Sequence, residues 1–347
     1  MIFYYDDSKN TYRTRYEATI SPNPCWFYCY DKDLSQVPWT IEPQQSLSQL
    51  YRERAEWIRA NYDYVVLAYS GGIDSTNVLE SFYYNNIHID EILCVGALSQ
   101  EYFEGTDKNL CEDLYQNVFP TLSKLNLQNT KITIEDYTKY FNDVNNFDII
   151  KKCGIEWYKE VGSYYSMTNW FWYELRKIYL SNKKTAIIFG TDKPYLFEFG
   201  SRLYTNFNDR QFFEYGNLPY TGPVQRVNFY TSPQSTGIIR KQLHMLMNIQ
   251  KSHNQRTNTI STKLIYDSNV IKKLVYSGIK NPLMYQSGKS VSNLFSIRDM
   301  FMLNKKNSDI YKIYTDGLLD YQKNAKNINI NSVGFFKTKN YYIGDLI

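Results

Sequence analysis

Apolar positions along the chain alternate between two periodicities. Leu47, Leu50, Tyr51, Ala55, Trp57 and Ile58 recur near helical spacing behind Ser46, which predicts an amphipathic helix with a serine cap. The run YVVLAY, Tyr64–Tyr69, is continuously β-branched or aromatic, the composition of a strand buried on both faces. Downstream the two patterns repeat. A helix is predicted over Ser75–Asn86, a strand over Glu91–Leu98, a long helix over Asp107–Leu125 and a strand over Lys131–Asp136. A helix over Trp170–Leu180 and a strand over Lys184–Gly190 follow. Strands that alternate with helices imply βαβ units, hence an α/β fold with a parallel sheet and helices on both faces. Beyond Phe207 the pattern weakens to one helix, Gly237–His253, and an Asn- and Lys-rich tail, read as a mainly helical accessory region. The first 45 residues are rich in Tyr, Pro and Trp, with a short strand at Cys25–Tyr30. The expected organisation is therefore an appendage over 1–45, a core domain over 46–206 and an accessory region over 207–347.

The segment between the first core strand and its helix carries the chemistry. It reads Ser70-Gly71-Gly72-Ile73-Asp74-Ser75. Backbone N–H groups and the helix dipole converge on an anion in that context. Two glycines let the backbone approach a phosphate, the hydroxyls of Ser70 and Ser75 can donate to its oxygens, and Asp74 can hold Mg²⁺. The plain alternative is a Gly-rich turn with Asp74 as a helix cap. The longer string weighs against it, since five fixed positions arise by chance on the order of a few times in ten thousand such chains. The Walker string and the dinucleotide fingerprint are both absent.

The string YSGGIDS, Tyr69–Ser75, resembles the SGGxDS signature of the N-type ATP pyrophosphatases, the PP-loop or adenine nucleotide α-hydrolase-like superfamily. The resemblance covers roughly residues 62–196 and is specific for the superfamily, not for a substrate. It implies a Rossmann-like (HUP-type) sheet, ATP with Mg²⁺, and a loop that grips pyrophosphate. It further implies adenine resting against the second strand at Cys94, Val95 and Gly96, and an adenylated intermediate. The turn FGTDKP, Phe189–Pro194, is similar in position to the second acidic motif of asparagine-synthetase-like domains. Asp192 would there assist Mg-pyrophosphate, as a second metal ligand beside Asp74, with Lys193 as a charge clamp. Two stretches, Phe229–Leu246 and YQSGKS at Tyr285–Ser290, resemble phage-encoded asparagine-synthetase-like or deazaguanine-synthase-like proteins. That likeness favours a viral origin.

Departures from the better-known branches narrow the choice. Position 2 is Ile, where glutamine-hydrolysing asparagine synthetases carry a nucleophilic cysteine, so the nitrogen donor must come from elsewhere. The five cysteines, Cys25, Cys29, Cys94, Cys111 and Cys153, form no zinc cluster, and none follows Cys153. This disfavours the deazaguanine synthases, the phosphoadenylylsulfate reductases and sulfur transfer generally. Lys241, Lys289 and Arg202 are further candidates to reach phosphates, since the leaving pyrophosphate needs cations; a solvated lysine or arginine is the plain alternative for each. His88, His244 and His253 share no metal spacing, and no catalytic histidine is expected.

Composition adds little. Lys plus Arg outnumber Asp plus Glu by 39 to 35, too evenly for a nucleic-acid surface. No run of about 18 apolar residues and no leader pattern is present, so a reduced, cytoplasmic protein is expected. The 34 tyrosines read as compositional bias, and the aromatic clusters at Tyr164–Tyr173 and Cys25–Tyr30 as packing more than base stacking. The sequence reading is an AMP-forming ligase that adenylates a small-molecule carboxylate or nucleobase precursor for attack by a nitrogen donor. Sulfur transfer and a non-catalytic ATP-binding module in a phage or defence assembly are the alternatives. Oligomeric state is left open.

Overall fold

The computed structural model describes residues 4–27, 31–96, 114–136, 147–161, 183–190, 194, 196–207, 223–257, 307–326 and 336–346. In chain order its strands are β1 (Tyr4–Asp6), β2 (Thr11–Tyr12), β3 (Cys25–Phe27), β4 (Tyr64–Ala68), β5 (Glu91–Gly96) and β6 (Lys131–Asp136). They continue with β7 (Thr185–Phe189), β8 (Phe197–Phe199), β9 (Arg202–Thr205), β10 (Val224–Asn228) and β11 (Tyr341–Asp345). The central sheet has the order β10-β7-β4-β5-β6, every pair parallel. Taken in chain order, this is the 3-2-1-4-5 arrangement of doubly wound α/β folds.

The alternation of side chains explains why β4 is apolar without interruption. Val65 and Leu67 enter one core with Cys94 and Ile188, while Val66 enters another with Leu93 and Ile187. Helices Leu47–Asn61, Ile73–Tyr83 and Thr236–Thr257 supply the first core with Ile58, Leu79 and Leu243. Helices Asp148–Cys153, Trp157–Val161 and Ser308–Asn324 supply the second with Ile150, Trp157 and Ile310. The predicted α/β architecture with both faces covered is what the chain adopts.

Local signals account for several boundaries. Ser46 accepts from the Gln49 N–H at 3.3 Å while the Gln49 side chain accepts from the Ser46 N–H at 2.9 Å, a reciprocal capping box. The strands expected at Tyr64, Glu91, Lys131 and Lys184 correspond to β4, β5, β6 and β7. Of the helix expected over Asp107–Leu125, the described part is a π-turn, Leu114–Val118, followed by the short helix Phe119–Leu122. The helix expected over Trp170–Leu180 lies outside the described residues, as do residues 97 and 98 at the end of the second predicted strand.

The fifth strand, β10, went unpredicted because VQRVN has no apolar run. As the outermost described strand on its side it tolerates Gln225 and Arg226. It also carries the central sheet past residue 206, into the segment read as accessory. Two small antiparallel sheets flank the core, β2-β1-β3 and β11-β9-β8. Among the described residues no helix is long and apolar enough to cross a membrane.

One packing contact reverses an ordinary expectation. Gly317 lies in the helix Ser308–Asn324, where Gly to Ala normally gains about 1 kcal/mol. A Cβ there would fall on the Trp157 indole nitrogen and come within 2.6 Å of the Ile155 carbonyl oxygen. Trp157 is fully buried and stacked on Tyr314 at 5.0 Å, so it has nowhere to go. Overpacking of this kind costs about 1–3 kcal/mol, so Gly317→Ala is expected to lower stability by about 1–2 kcal/mol in urea unfolding. A stabilised variant would refute this packing.

Candidate functional site

The order of strands reverses between β4 and β7, and the crevice beyond the carboxyl ends of such a pair is where open α/β sheets bind ligands. Ala68, the last residue of β4, lies level with Phe189, the last of β7. The six-residue string found in the sequence begins two residues after Ala68. Gly71 has φ +69°, the left-handed region, and Gly72 is the N-cap of the helix Ile73–Tyr83. Among the described residues no side chain caps that helix end. A glycine N-cap offers no side chain to the first N–H groups, which lie at the positive end of the helix dipole.

Gly71 and Gly190 are imposed by their surroundings. A Cβ at Gly71 would lie 2.8 Å from the Asn117 Cβ and 2.9 Å from a Val118 methyl, so the π-turn packs directly on the loop. Across the switch point, a Cβ at Gly190 would lie 2.8 Å from the carbonyl oxygen of Asp74 and 3.0 Å from the Ser75 nitrogen. Gly190 was not singled out in the sequence. Its signal is the FG pair at the end of an apolar strand.

The hydroxyls close the loop on itself. Ser75, 5% exposed, donates to the Gly72 carbonyl at 3.1 Å and accepts from the Ser70 N–H at 3.3 Å. Ser70 is exposed, and its Oγ lies 3.3 Å from that of Ser75. Ile73 and Asp74 are half-buried, at the first and second positions of the helix. From behind, the Tyr230 hydroxyl donates to the Asp74 carbonyl at 2.7 Å and accepts from Asn77 Nδ2 at 2.8 Å. Burial holds the Tyr230 hydroxyl well above its ordinary pKa, so it stays a neutral donor throughout the working range.

The remaining sequence candidates scatter. Cys94 is fully buried in the core, its thiol pushed up to about 12 by burial, so its side chain presents no surface to a base. Val95 points to the opposite face and is half-buried, and Gly96 ends β5. The Lys241 ammonium is held by Glu42 at 2.7 Å and the Pro43 carbonyl at 3.0 Å, a bond to the N-terminal segment. Arg202 sits in β9 beside Asp345 at 3.7 Å and the Tyr342 ring at 5.8 Å, in the β11-β9-β8 sheet. Asp192, Lys193 and Lys289 lie outside the described residues. His244 is buried with Nε2 2.9 Å from the Trp39 carbonyl, a packing role.

Sequence reasoning missed Arg226. From β10 its guanidinium lies 4.3 Å over the Phe189 ring, and its Nε donates to the Asn228 side chain at 3.2 Å. Ala68, Val95, Phe189, Arg226 and Asn228 occupy the upper part of one sheet face, and all are half-buried. Deeper on that face Val66, Leu93, Ile187 and Val224 are buried. That sheet face is thus apolar, with Arg226 at its β10 side.

Fold and loop together define a Rossmann-like α/β chain with a glycine-rich turn at its switch point. No family model matches the chain, and no curated protein matches it. Among solved structures it is similar to the NH3-dependent NAD synthetase from Campylobacter jejuni subsp. jejuni NCTC 11168, in complex with the nitrate ion. The identity is 13% and the TM-score 0.30, with 70% of this chain and 100% of that chain covered. At that TM-score the likeness says nothing of substrate.

The two glycine contacts separate conformational from steric cost. Gly200 also has positive φ, but a Cβ there meets nothing within 4 Å. Gly200→Ala is expected to cost about 1 kcal/mol of backbone strain alone. Gly190→Ala is expected to cost about 1–3 kcal/mol of overpacking, and Gly71→Ala, which combines both effects, about 2–4 kcal/mol. Denaturant unfolding of the three variants tests the order; Gly71→Ala no worse than Gly200→Ala would refute the described fit.

Proposed function

We propose that the chain binds ATP on Ser70–Ser75 and transfers its AMP moiety to an oxygen of a small acceptor, a carboxylate or a nucleobase-type carbonyl. The acceptor oxygen attacks the α-phosphorus, the bond from that phosphorus to the bridging oxygen breaks, and pyrophosphate leaves. A nitrogen donor then attacks the activated carbon, its proton passes to solvent, and AMP departs with the C–O electron pair. The observation that carries this reading is the glycine-capped helix start at the switch point, held by Gly190 and Tyr230. The SGGxDS string at that position supports α–β cleavage over other nucleotide chemistry.

The residues present fit Mg²⁺ arriving with ATP. Among the described residues no group of three His, Cys, Asp or Glu gathers, as a dedicated cage would need. Mg²⁺ is more often held by one or two carboxylates plus substrate phosphates and water, and Asp74 offers one carboxylate at the loop. When bound, the ion would neutralise charge on the leaving pyrophosphate. Arg226 offers a further cation beside the crevice, and the backbone N–H groups orient the phosphates, so positioning and electrostatics supply most of the acceleration. Among the described cysteines, Cys94 and Cys25 are buried, and the Cys25 Sγ donates to the Asn23 carbonyl at 3.4 Å. Neither is poised as a sulfur carrier.

The deciding experiment incubates the full chain with Mg²⁺ and α-labelled ATP against pools of nucleobase and amino-acid acceptors, separating AMP from ADP. AMP and pyrophosphate in equal amounts are expected. Asp74→Ala, with its fold verified by circular dichroism, is expected to lose on the order of 10²-fold or more in rate. ADP as product would overturn the mechanism, and tight ATP binding without turnover would leave the chain a nucleotide-binding module.

A further inference from the structure

The Asp74 carbonyl is held from two directions by groups outside its own helix. Gly190 presses on it from the end of β7, where a Cβ would lie 2.8 Å away, and the Tyr230 hydroxyl donates to it at 2.7 Å. Tyr230 stands two residues past β10, fully buried, with its ring edge to face on Tyr51 at 6.0 Å. The adjacent Phe229 N–H donates to the Phe189 carbonyl at 3.0 Å. The hydroxyl is thus fixed to the sheet, and what it holds is the start of the helix Ile73–Tyr83.

A second contact sets the direction of this hydrogen bond. Asn77 Nδ2, 2.8 Å from the same hydroxyl, can only donate, so it takes an acceptor position on the Tyr230 oxygen. The single phenolic proton is left for the Asp74 carbonyl, which can only accept. Asp74 and Asn77 are three residues apart on one face of the helix, so one hydroxyl clasps its first turn. Asn77 is 3% exposed, and water does not compete for either bond. The Asp74 carboxylate departs from the same residue whose carbonyl is clasped. A shift there moves the carboxylate and the first N–H groups of the helix together, and misplacement by about 1 Å costs on the order of 10²-fold in rate.

We propose that Tyr230 is a positioning residue of the nucleotide site, setting the pose of Asp74 and the first helical turn from behind the loop. Its part in the reaction rests on the adenylating reading; the clasp itself rests on geometry alone.

Tyr230→Phe removes only the hydroxyl. Its kcat for AMP formation is expected to fall about tenfold or more with the KM for Mg-ATP within about threefold of wild type, because the N–H groups that bind phosphates remain and their alignment is lost. It also strands Asn77 Nδ2, so its melting temperature falls. Tyr230→Phe with Asn77→Leu removes both partners and is expected to recover most of that stability, since no stranded donor is left, while kcat stays low. A merely structural role predicts the opposite, kcat rising with stability. Hydrogen–deuterium exchange over Ser70–Val78 in the nucleotide-free chain needs no turnover. Thr76, whose N–H donates to the Gly72 carbonyl at 2.9 Å, lies in that stretch. Tyr230→Phe is expected to speed exchange there about fivefold or more, while the helix Ser308–Asn324 keeps its wild-type protection. A wild type that forms no AMP defeats the adenylating reading alone, and the exchange then decides for or against the clasp. Wild-type kcat or unchanged exchange in Tyr230→Phe, or a double variant whose kcat returns with its stability, overturns the role of Tyr230.

Discussion

The approach of Gly190 to the backbone of Asp74 is the contact on which the geometry of the switch point depends. β4 and β7 are neighbours and end level with each other, so two chain segments must leave the sheet through the same small space. The segment after β4 turns at once into a helix, and the segment after β7 crosses its first turn with 2.8 Å between a notional Cβ and a carbonyl oxygen. No side chain fits there. Because the neighbour is backbone rather than a flexible side chain, it cannot yield without moving the helix that presents the loop. The Gly71 contact with the π-turn applies the same constraint from the other side. The loop is thus held between two segments distant in sequence.

Behind the loop stands a polar network buried among apolar side chains. Tyr230 joins Asp74 to Asn77, Gln242 donates to the Tyr51 hydroxyl at 3.0 Å, and the Tyr51 and Tyr230 rings meet edge to face at 6.0 Å. Arg54, 3% exposed, donates to the Asn228 and Phe229 carbonyls at 2.9 and 3.2 Å, and burial lowers its pKa to about 10. A buried hydrogen bond contributes only about 1 kcal/mol net, whereas removing one partner leaves a desolvated group that costs about 1–3 kcal/mol. The network therefore acts less as added stability than as a penalty on every alternative arrangement. Through it the end of β10 and the helices Leu47–Asn61 and Thr236–Thr257 share one geometry with the glycine-rich turn.

What was legible in the sequence follows from burial. Strands covered on both faces, such as β4 and β5, are written as continuous apolar runs, and their helices as amphipathic repeats. The loop was legible because a short string of special residues has few other reasons to occur. β10 was not, because an edge strand carries Gln and Arg without penalty, and with it went Arg226. Of the flanking sheets, the short strand expected at Cys25–Tyr30 is found as β3, and the other strands were missed for another reason: strands of two or three residues, as in β1, β2 and β8, are too short to reveal a period of two. Gly190 is a harder case. Its role arises only when β7 lies beside β4, and strand order is a tertiary fact that local pattern does not contain.

The segment before the core shows the same dependence on distant partners. Residues 1–45 read as an appendage because their pattern is irregular. Yet Trp39, Ile41, Glu42 and Pro43 are all gripped by one helix face, through His244, Arg240 and Lys241. The Phe27 N–H of β3 donates to the Lys337 carbonyl at 2.8 Å, and Phe336 packs on Tyr4 at 5.0 Å. Both ends of the described chain thus close onto each other. Lys241 illustrates the general point: a lysine that the sequence offers as a phosphate contact is chemically suited to either task. Its 2.7 Å contact with Glu42, at a side chain only 18% exposed, uses its charge to anchor the N-terminal segment to the helix that also carries Gln242. Arg226 lies instead on β10, a strand whose end the buried network holds in place.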